Sequence, residues 1–243
     1  MDGSSILPKS TMSNPYFRFK QFTVYHDLCA MKVGVDGVLL GAWADCKNVK
    51  YALDIGTGSG LIALMLAQRS KALIHAIDID ENACKQAEIN FNNSPFHDRL
   101  SVECCDFRNF STSVRYDLIV SNPPYFIDSL KSPDKNRNLA RHNEHLPLDI
   151  LIKKSASLLS PQGKVALILP FDQWKDAHSI AVDNQLFLCR KTLVSSLENH
   201  PPKRVLPEFS LIENNPVENS LYIGKTKQTY SDEYRALTEE FYL

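Results

Sequence analysis

Several features that would narrow the class of protein are missing from this 243-residue sequence. No apolar run approaches the roughly 18 to 20 residues that a membrane-spanning helix needs, and the amino terminus has no signal-peptide pattern. The charge is balanced, with 27 basic and 28 acidic residues and a formal net charge of −1. Because histone-like nucleic-acid binders are strongly basic, that class is excluded, whereas an enzyme with a local basic surface is not. We therefore expect a cytoplasmic protein with no membrane partner.

The cysteines also lack the spacing of a metal site. The six cysteines are Cys29, Cys46, Cys84, Cys104, Cys105 and Cys189. No C-x-x-C pair occurs among them, so a zinc site is not expected. A disulfide framework is not expected either, because the chain is long and has no secretory signal. We predict no metal and interpret the cysteines as buried free thiols.

The composition that remains is that of a folded domain, with 44% hydrophobic and 23% charged residues. From residue 51, short apolar strands alternate with helical segments. Strands are predicted at 51–55, 72–77, 100–105, 116–120 and 164–169, and helices at 59–69, 81–92, 146–159 and 171–183, with a turn at 160–163. Such alternation is typical of a parallel sheet with helices on both faces.

The pattern changes after residue 186. Strands are predicted at 186–194, 204–212 and 221–224, followed by a helix over 232–243 that Ser231 caps. With no helix between the last two strands, we expect an antiparallel hairpin at the carboxyl-terminal edge of the sheet. The fold class is therefore α/β, with a mostly parallel sheet.

The region ahead of residue 51 has a different character. Residues 1–16 are predicted to form a disordered tail, because their start is polar and patternless. Alternation over 17–24 predicts a single strand, half of a hairpin, and 36–44 reads as a short apolar helix. We expect 17–50 to form a strand and helix extension that packs on a domain comprising 51–243.

A glycine-rich loop joins the first strand and first helix of the alternation. Gly56, Gly58 and Gly60 allow a sharp turn and a close approach by a ligand. Asp54 precedes them by two residues, and a carboxylate there suits a ligand with a positive end better than a pyrophosphate. The alternative interpretation is a tight turn without a ligand.

Acidic residues end the next two strands. Asp78 follows Asp54 by 24 residues, a position from which a carboxylate can accept both ribose hydroxyls. Asp80 is more suited to capping the helix that follows. Asp106 can accept from an adenine amino group, and Phe107 can cover the ring. Together these candidates describe a nucleoside with a cationic tail, S-adenosylmethionine, and they resemble the motifs of the class I, Rossmann-like methyltransferases. The resemblance implies a seven-stranded sheet, mostly parallel, with an antiparallel carboxyl-terminal edge.

The motif Asn122-Pro123-Pro124-Tyr125 follows the fourth strand. The side-chain oxygen of Asn122 and the carbonyl of Pro123 can accept the two N–H groups of a planar amine, and the prolines fix their direction. Tyr125 offers a face on which a flipped base can stack. The alternative is a turn that ends a strand. The motif resembles that of methyltransferases acting on adenine N6, guanine N2 or the glutamine side chain of release factors.

Both ends of the chain resemble one bacterial family, the tRNA1(Val) adenine-N6 methyltransferases. The resemblance lies in FKQFTV at 19–24, CAMKVG at 29–34, LGAWA at 40–44, PEF at 207–209 and FYL at 241–243. It implies methylation of the adenine at tRNA position 37, next to the anticodon. Val35 departs from the pattern, because threonine is expected there. If that hydroxyl contacts cofactor or RNA in the family, this chain has one hydrogen bond fewer.

An RNA substrate requires cations for its phosphates. The candidates are Lys20, Lys32, Arg137, Arg141 and Arg204. In the extension, Phe19, Phe22, Met31 and Trp43 are interpreted as core residues. The segment 32–36 is expected to fold over the cofactor pocket.

Other functions share part of this pattern. A glutamine-N5 methyltransferase of peptide release factors has both the glycine loop and the proline motif, but also a separate helical domain ahead of them. Only about 40 usable residues precede Tyr51 here. A DNA adenine methylase would be expected to have an additional target-recognition domain. A non-catalytic RNA-binding module would not need the intact motif at 122–125. We therefore predict an adenine-N6 methyltransferase acting on tRNA, and although no motif encodes the oligomeric state, a monomer is favoured.

Overall fold

The computed structural model describes residues 14–29, 31–124, 146–226 and 228–243. The strands in these ranges are β1 (Tyr16–Arg18), β2 (Thr23–Tyr25), β3 (Tyr51–Ile55), β4 (Leu73–Asp78), β5 (Leu100–Cys104), β6 (Tyr116–Ser121), β7 (Leu159–Leu167), β8 (Leu169–Pro170), β9 (Phe187–Leu197), β10 (Arg204–Ser210) and β11 (Val217–Gly224). The α-helices are α1 (Val35–Trp43), α2 (Leu61–Arg69), α3 (Glu81–Asn92), α4 (Leu148–Leu158), α5 (Trp174–Asp183) and α6 (Asp232–Thr238). None of these helices is both long and apolar enough to cross a membrane.

One sheet organises most of the chain. Its strand order is β11-β9-β10-β7-β6-β3-β4-β5, with β8 paired to β10. The run from β5 to β7 is parallel, whereas β10 lies antiparallel to both β7 and β9. Neighbouring residues of β3 alternate between two cores: Ala52 packs with α1, α2 and α3, and Leu53 packs with α4 and α5. The predicted mostly parallel sheet with helices on both faces is confirmed.

The carboxyl-terminal strands differ from the prediction. Among the described residues the main sheet has nine strands rather than seven. The antiparallel pair β9 and β10 lies inside the sheet, and the edge is formed by β11, which runs parallel to β9. The first half of β11, residues 217–220, is exposed and mainly polar. It therefore lacks the apolar pattern that predicts a strand, and β8 is too short to show one.

Two predicted boundaries were also wrong. Strand β7 begins at Leu159 and runs through the predicted turn at 160–163. Gly163 is needed there for close packing, because a Cβ at that position would lie 2.5 Å from the carbonyl oxygen of Tyr116. The last helix ends at Thr238, not at residue 243. The chain beyond it turns back to the amino-terminal hairpin, where the N–H of Lys20 donates to the carbonyl of Phe241.

The amino-terminal segment forms two short strands instead of the single strand predicted at 17–24. Strands β1 and β2 pair antiparallel, and the N–H of Phe19 donates to the carbonyl of Phe22 across the turn. Both rings are buried in the same core as Trp43 of α1. The division into a tail, an extension and a domain remains a prediction.

The cysteines are less buried than expected. All six are free thiols, but only Cys46 and Cys84 are fully buried. Cys104 is exposed at the end of β5, the other edge strand of the main sheet. Within the described part of the chain, β5 has a neighbouring strand on one side only, which leaves the end of this strand open to solvent.

Candidate active site

A cavity of about 330 Å³ lies where the parallel strands β3 to β6 end. Clefts at this end of an open α/β sheet are the usual location of ligand sites. Its walls are formed by Cys29, Met31, Ile55, Gly56, Gly58, Ile77, Asp78, Ile79, Asp80, Ala83, Cys105, Asp106, Phe107, Arg108, Ser121, Asn122, Pro123, Pro124 and Leu146. Most of the residues predicted for the cofactor and the acceptor therefore meet in one space.

The three glycines of the loop have different surroundings. All three adopt positive φ, at +70° for Gly56, +55° for Gly58 and +81° for Gly60. A Cβ added to Gly56 or Gly58 would meet no atom within 4 Å, whereas one on Gly60 would lie 2.5 Å from Cε1 of Phe91. The first two glycines thus leave space in the cavity wall. Gly60 is not part of that wall, and its role is to let α2 approach α3.

Asp78 connects the glycine loop to the end of β4. Its Oδ2 accepts a hydrogen bond from the N–H of Gly58 at 2.8 Å, and its Oδ1 accepts from the N–H of Asp80 at 3.0 Å. Asp80 caps α3 as predicted, because its carboxylate accepts from the N–H of Asn82 at 2.8 Å. The carboxylate of Asp78 therefore orders the loop and also faces the cavity.

Asp54 lies beneath the loop rather than in the cavity wall. Its fully buried carboxyl accepts from the hydroxyl of Thr57 at 2.7 Å and from the N–H of Ala63 at 3.2 Å, both through Oδ2. Within the described part of the chain, Oδ1 has no hydrogen-bond partner. Burial raises the pKa of Asp54 to about 7, against the lowering effect of these two hydrogen bonds. The geometry assigns this carboxyl to supporting the loop.

Asp106 is held in an ion pair. The guanidinium of Arg108 approaches its Oδ2 at 2.6 Å through Nη2 and 2.7 Å through Nε, and the hydrogen bonds from Arg108 hold the pKa of Asp106 below its usual value. The ring of Phe107 is buried, with the ammonium of Lys154 5.3 Å from its centroid. Both residues border the cavity, but the carboxylate of Asp106 already has a cationic partner.

Asn122, Pro123 and Pro124 follow directly after β6 and form part of the cavity wall. The preceding residue joins this wall to the strand that carries the glycine loop, because the hydroxyl of Ser121 donates to the carbonyl of Ile55 at 2.8 Å. The candidate acceptor groups and the glycine loop are thereby held on adjacent strands. Tyr125 lies outside the described residues.

The amino-terminal segment contributes two residues to the cavity that the sequence interpretation missed. Cys29 and Met31 both border it. Met31 was predicted to be a core residue, but 62% of its surface is exposed. The segment is fixed to α3, where the side-chain oxygen of Gln86 accepts from the N–H of Leu28 at 2.9 Å. The segment therefore reaches the cavity through residues ahead of 32–36, and none of the residues 32–36, which were expected to cover the pocket, borders it.

None of the candidate phosphate contacts within the described residues belongs to the cavity wall. The ammonium of Lys20 donates to the carbonyl of Glu239 near the carboxyl terminus. Arg204 forms an ion pair with Asp36, with Nε 2.9 Å from Oδ2. Lys32 is exposed. Arg137 and Arg141 lie outside the described residues. In the same part of the chain, no group of three or more His, Cys, Asp or Glu side chains is placed to hold a metal ion.

Solved structures of other proteins share this architecture. A predicted O-methyltransferase from Agrobacterium tumefaciens superimposes with a TM-score of 0.66 at 15% identity, over 85% of this chain and 96% of that one. The CcbJ methyltransferase from Streptomyces caelestis gives a TM-score of 0.56 at 10% identity, over 76% of this chain and 95% of that one. At these identities the similarity establishes the fold alone, and the predicted Rossmann-like methyltransferase fold is confirmed.

Sequence similarity extends over nearly the whole chain. The methyltransferase small domain family matches residues 38–170. The tRNA1(Val) (adenine(37)-N6)-methyltransferase of Parabacteroides distasonis is 51% identical over 235 residues, which cover 96% of this chain and 99% of that protein. The enzyme of the same name from Christiangramia forsetii is 44% identical over 238 residues, with the same coverage. The chain therefore belongs to the tRNA1(Val) (adenine(37)-N6)-methyltransferase family.

Proposed function

We propose that this protein transfers a methyl group from S-adenosylmethionine to the N6 amino group of an adenine in tRNA, at position 37 of tRNA1(Val). The observation that carries the proposal is that Asn122 and Pro123 border the same cavity as Gly56 and Gly58. It is supported by the family to which the chain belongs. A tRNA substrate also agrees with a cytoplasmic location.

The residues around the cavity fit S-adenosylmethionine, which supplies an electrophilic methyl group on a sulfonium sulfur. Gly56 and Gly58 present open backbone to the cavity. Each oxygen of Asp78 accepts one backbone N–H, and a carboxylate has further lone pairs with which to accept from ribose hydroxyls. Ile79 and Ala83 provide apolar surface beside it for an adenine ring. Asp54 acts from below, by holding Thr57 and the start of α2.

The acceptor amine needs orientation more than activation by a base. Its lone pair is delocalised into the adenine ring, so it is a poor nucleophile until it is held in one direction. We propose that the side-chain oxygen of Asn122 and the carbonyl of Pro123 each accept one of its N–H groups. The restricted backbone of the two prolines keeps these acceptors in place. Preorganised dipoles and positioning then supply most of the rate enhancement. The nitrogen becomes cationic on methylation and loses its proton to solvent.

The remaining predicted residues have supporting parts in this proposal. Tyr125 offers a ring on which the extruded adenine stacks. Asp106 accepts a hydrogen bond from the adenine amino group of S-adenosylmethionine in addition to those from Arg108, because a carboxylate has several lone pairs. Phe107, which also borders the cavity, offers its ring to cover the adenine.

The test is methyl transfer from isotopically labelled S-adenosylmethionine to total tRNA from cells that lack this enzyme, followed by nucleoside analysis. We expect N6-methyladenosine as the labelled product, mapped to position 37 of tRNA1(Val). The variant Asn122→Ala should bind S-adenosylmethionine normally and turn over roughly 100- to 1000-fold more slowly. Labelling of a release-factor glutamine with none on tRNA would contradict the proposed function. A variant that keeps more than about a tenth of the rate would contradict the role of Asn122.

A further inference from the structure

The order of the strands determines from which side an acceptor can reach the cavity. Gly56 and Gly58 follow β3, and Asp78 ends β4, whereas Asn122 follows β6 on the other side of β3. Beyond β6 the sheet continues through β7 and β10. The nucleoside of the cofactor is proposed to lie over β3 and β4. A polynucleotide that delivers a base to Asn122 from the side away from that nucleoside approaches over β7 and β10.

The structure places two loops at that end of β7 and β10. Leu167 pairs with Ser121, and the N–H of Ile168 donates to the carbonyl of Ser121, so the chain leaving β7 runs beside the Asn122 wall. Three residues later it reaches Phe171, and β10 starts one residue after Lys203. The N–H of Phe171 donates to the carbonyl of Lys203 at 3.1 Å, which holds the two loops together.

The side chains of this pair are an aromatic ring and a cation, both open to solvent. Phe171 has 40% of its surface exposed, and Lys203 is exposed. Arg204 is engaged by Asp36, but within the described residues no ion pair involves the Lys203 ammonium. A single exposed apolar side chain needs no explanation. An exposed ring and an exposed cation, on two loops that a backbone hydrogen bond joins, have the chemistry that binds unpaired nucleotides.

We propose that Phe171 and Lys203 form a docking contact for a nucleotide that adjoins the target adenine. The ring of Phe171 stacks on that base, and the ammonium of Lys203 binds a phosphate of the same strand. The inference rests on the proposed function and specifies how the RNA is held. Asp172 and Glu198 lie in the same two loops, so the contact depends on the placement of one ring and one cation rather than on a general positive field.

The experiment measures methyl transfer to tRNA with Phe171→Ala and Lys203→Ala, at several salt concentrations. Stacking of one base on an aromatic side chain predicts that Phe171→Ala raises the KM for tRNA by roughly 5-fold or more. One phosphate contact predicts that Lys203→Ala lowers the salt dependence of tRNA binding by about one in the logarithmic slope. The KM for S-adenosylmethionine should stay unchanged in both. Phe171→Trp and Lys203→Arg should restore tRNA binding.

Matched control variants are available at the opposite end of the sheet. Tyr51, at the start of β3, is 43% exposed, and Lys71, just ahead of β4, is also exposed. The variants Tyr51→Ala and Lys71→Ala remove the same kinds of side chain, and we expect both to keep the wild-type KM for tRNA.

The outcomes separate this inference from the proposed function. If the wild-type protein methylates tRNA while folded Phe171→Ala and Lys203→Ala keep the wild-type KM for tRNA, the docking contact is wrong and the proposed function stands. An equal loss of affinity for S-adenosylmethionine in these variants would also overturn it, because that loss indicates a structural role. A wild-type protein that binds S-adenosylmethionine but neither binds nor methylates tRNA would overturn the proposed function, and the inference with it.

Discussion

The side-chain amide of Asn90 donates a hydrogen bond to the backbone carbonyl of Ser59, over 2.8 Å, in the interior of the protein. The same side chain accepts from the N–H of Tyr25 at 2.9 Å and donates to the carbonyl of Tyr25 at 2.8 Å. One fully buried residue of α3 thus joins the glycine loop to strand β2 of the amino-terminal hairpin. All three of its hydrogen bonds replace contacts that these backbone groups would otherwise make with water.

We expect Asn90→Ala to lower the free energy of unfolding by about 2 kcal/mol, because it leaves one buried and two part-buried backbone groups without this partner. The affinity for S-adenosylmethionine should fall as well, since Ser59 belongs to the glycine loop. Urea denaturation and calorimetry measure the two effects. Asn92→Ala, at an exposed position of the same helix, is the control and should change stability by no more than about 0.5 kcal/mol. Equal stability of the two variants would contradict the bridging role.

The glycine loop gives a second prediction, which compares Gly58→Ala with Gly60→Ala. One of these variants should lose more stability and the other more affinity for the cofactor. Gly60→Ala combines left-handed strain of about 1 to 2 kcal/mol with a clash against Phe91 that adds about 1 to 3 kcal/mol. Gly58→Ala has the strain but no clash. We expect Gly60→Ala to be the less stable variant and Gly58→Ala, whose methyl enters the cavity, to lose more cofactor affinity.

A further substitution, Phe91→Leu, tests the cause of this difference in stability. In the Gly60→Ala background it should recover part of the lost stability, because it removes the ring atom that the new Cβ would approach. Thermal unfolding of the single and double variants provides the comparison. If the two alanine variants unfold at the same temperature, close packing of Gly60 on Phe91 contributes nothing.

The elements that could be predicted are those whose causes are local. Helix α3 spans the predicted 81–92 without change, since Asp80 caps its start. The alternation of strand and helix depends on hydrophobic patterns within each segment. The cavity combines the glycine loop with residues 122–124 because parallel strands place their carboxyl ends at one edge of the sheet.

The residues that could not be predicted depend on contacts between distant segments. Lys20 is a candidate phosphate contact, and the sequence gives no sign that its ammonium also binds the carbonyl of Glu239, which is 219 residues away. Met31 has the hydropathy of a core residue and becomes part of an open cavity wall. Asp54 was expected to face a ligand, yet it alternates with Ile55 along β3. Ile55 borders the cavity, and Asp54 points away from it toward α2.

Asp54 leads to a prediction about the pH dependence of stability. Its pKa rises from the ordinary 3.8 to about 7 in the folded protein, so the folded state binds this proton more tightly than the unfolded chain. The contribution of Asp54 is therefore fully present below about pH 4 and is lost as the pH rises toward 7. A difference of this size corresponds to on the order of 3 to 5 kcal/mol.

The substitution Asp54→Asn removes this titrating group. Between pH 5 and pH 7.5 we expect the wild type to lose stability relative to the variant. The comparison must be a difference, because His75 titrates in the same range with the opposite sign: burial lowers its pKa, and it destabilises the fold as the pH falls. Urea denaturation at both pH values measures the effect. Parallel pH profiles of the two proteins would show that Asp54 remains ionised in the fold.

The final prediction separates the two acidic residues at the end of β4. Asp78→Ala should weaken S-adenosylmethionine binding roughly 10-fold or more, because it removes the proposed acceptor of the ribose hydroxyls and also releases the N–H of Gly58. Asp80→Ala should instead reduce stability by about 1 kcal/mol, through loss of the cap on α3, and leave most of the cofactor affinity intact. Calorimetric titration of each folded variant provides the affinity, and thermal unfolding provides the stability. If Asp80→Ala lost more cofactor affinity than Asp78→Ala, the ribose contact would have to be reassigned to Asp80, and the hydrogen bond between Gly58 and Asp78 would be purely structural.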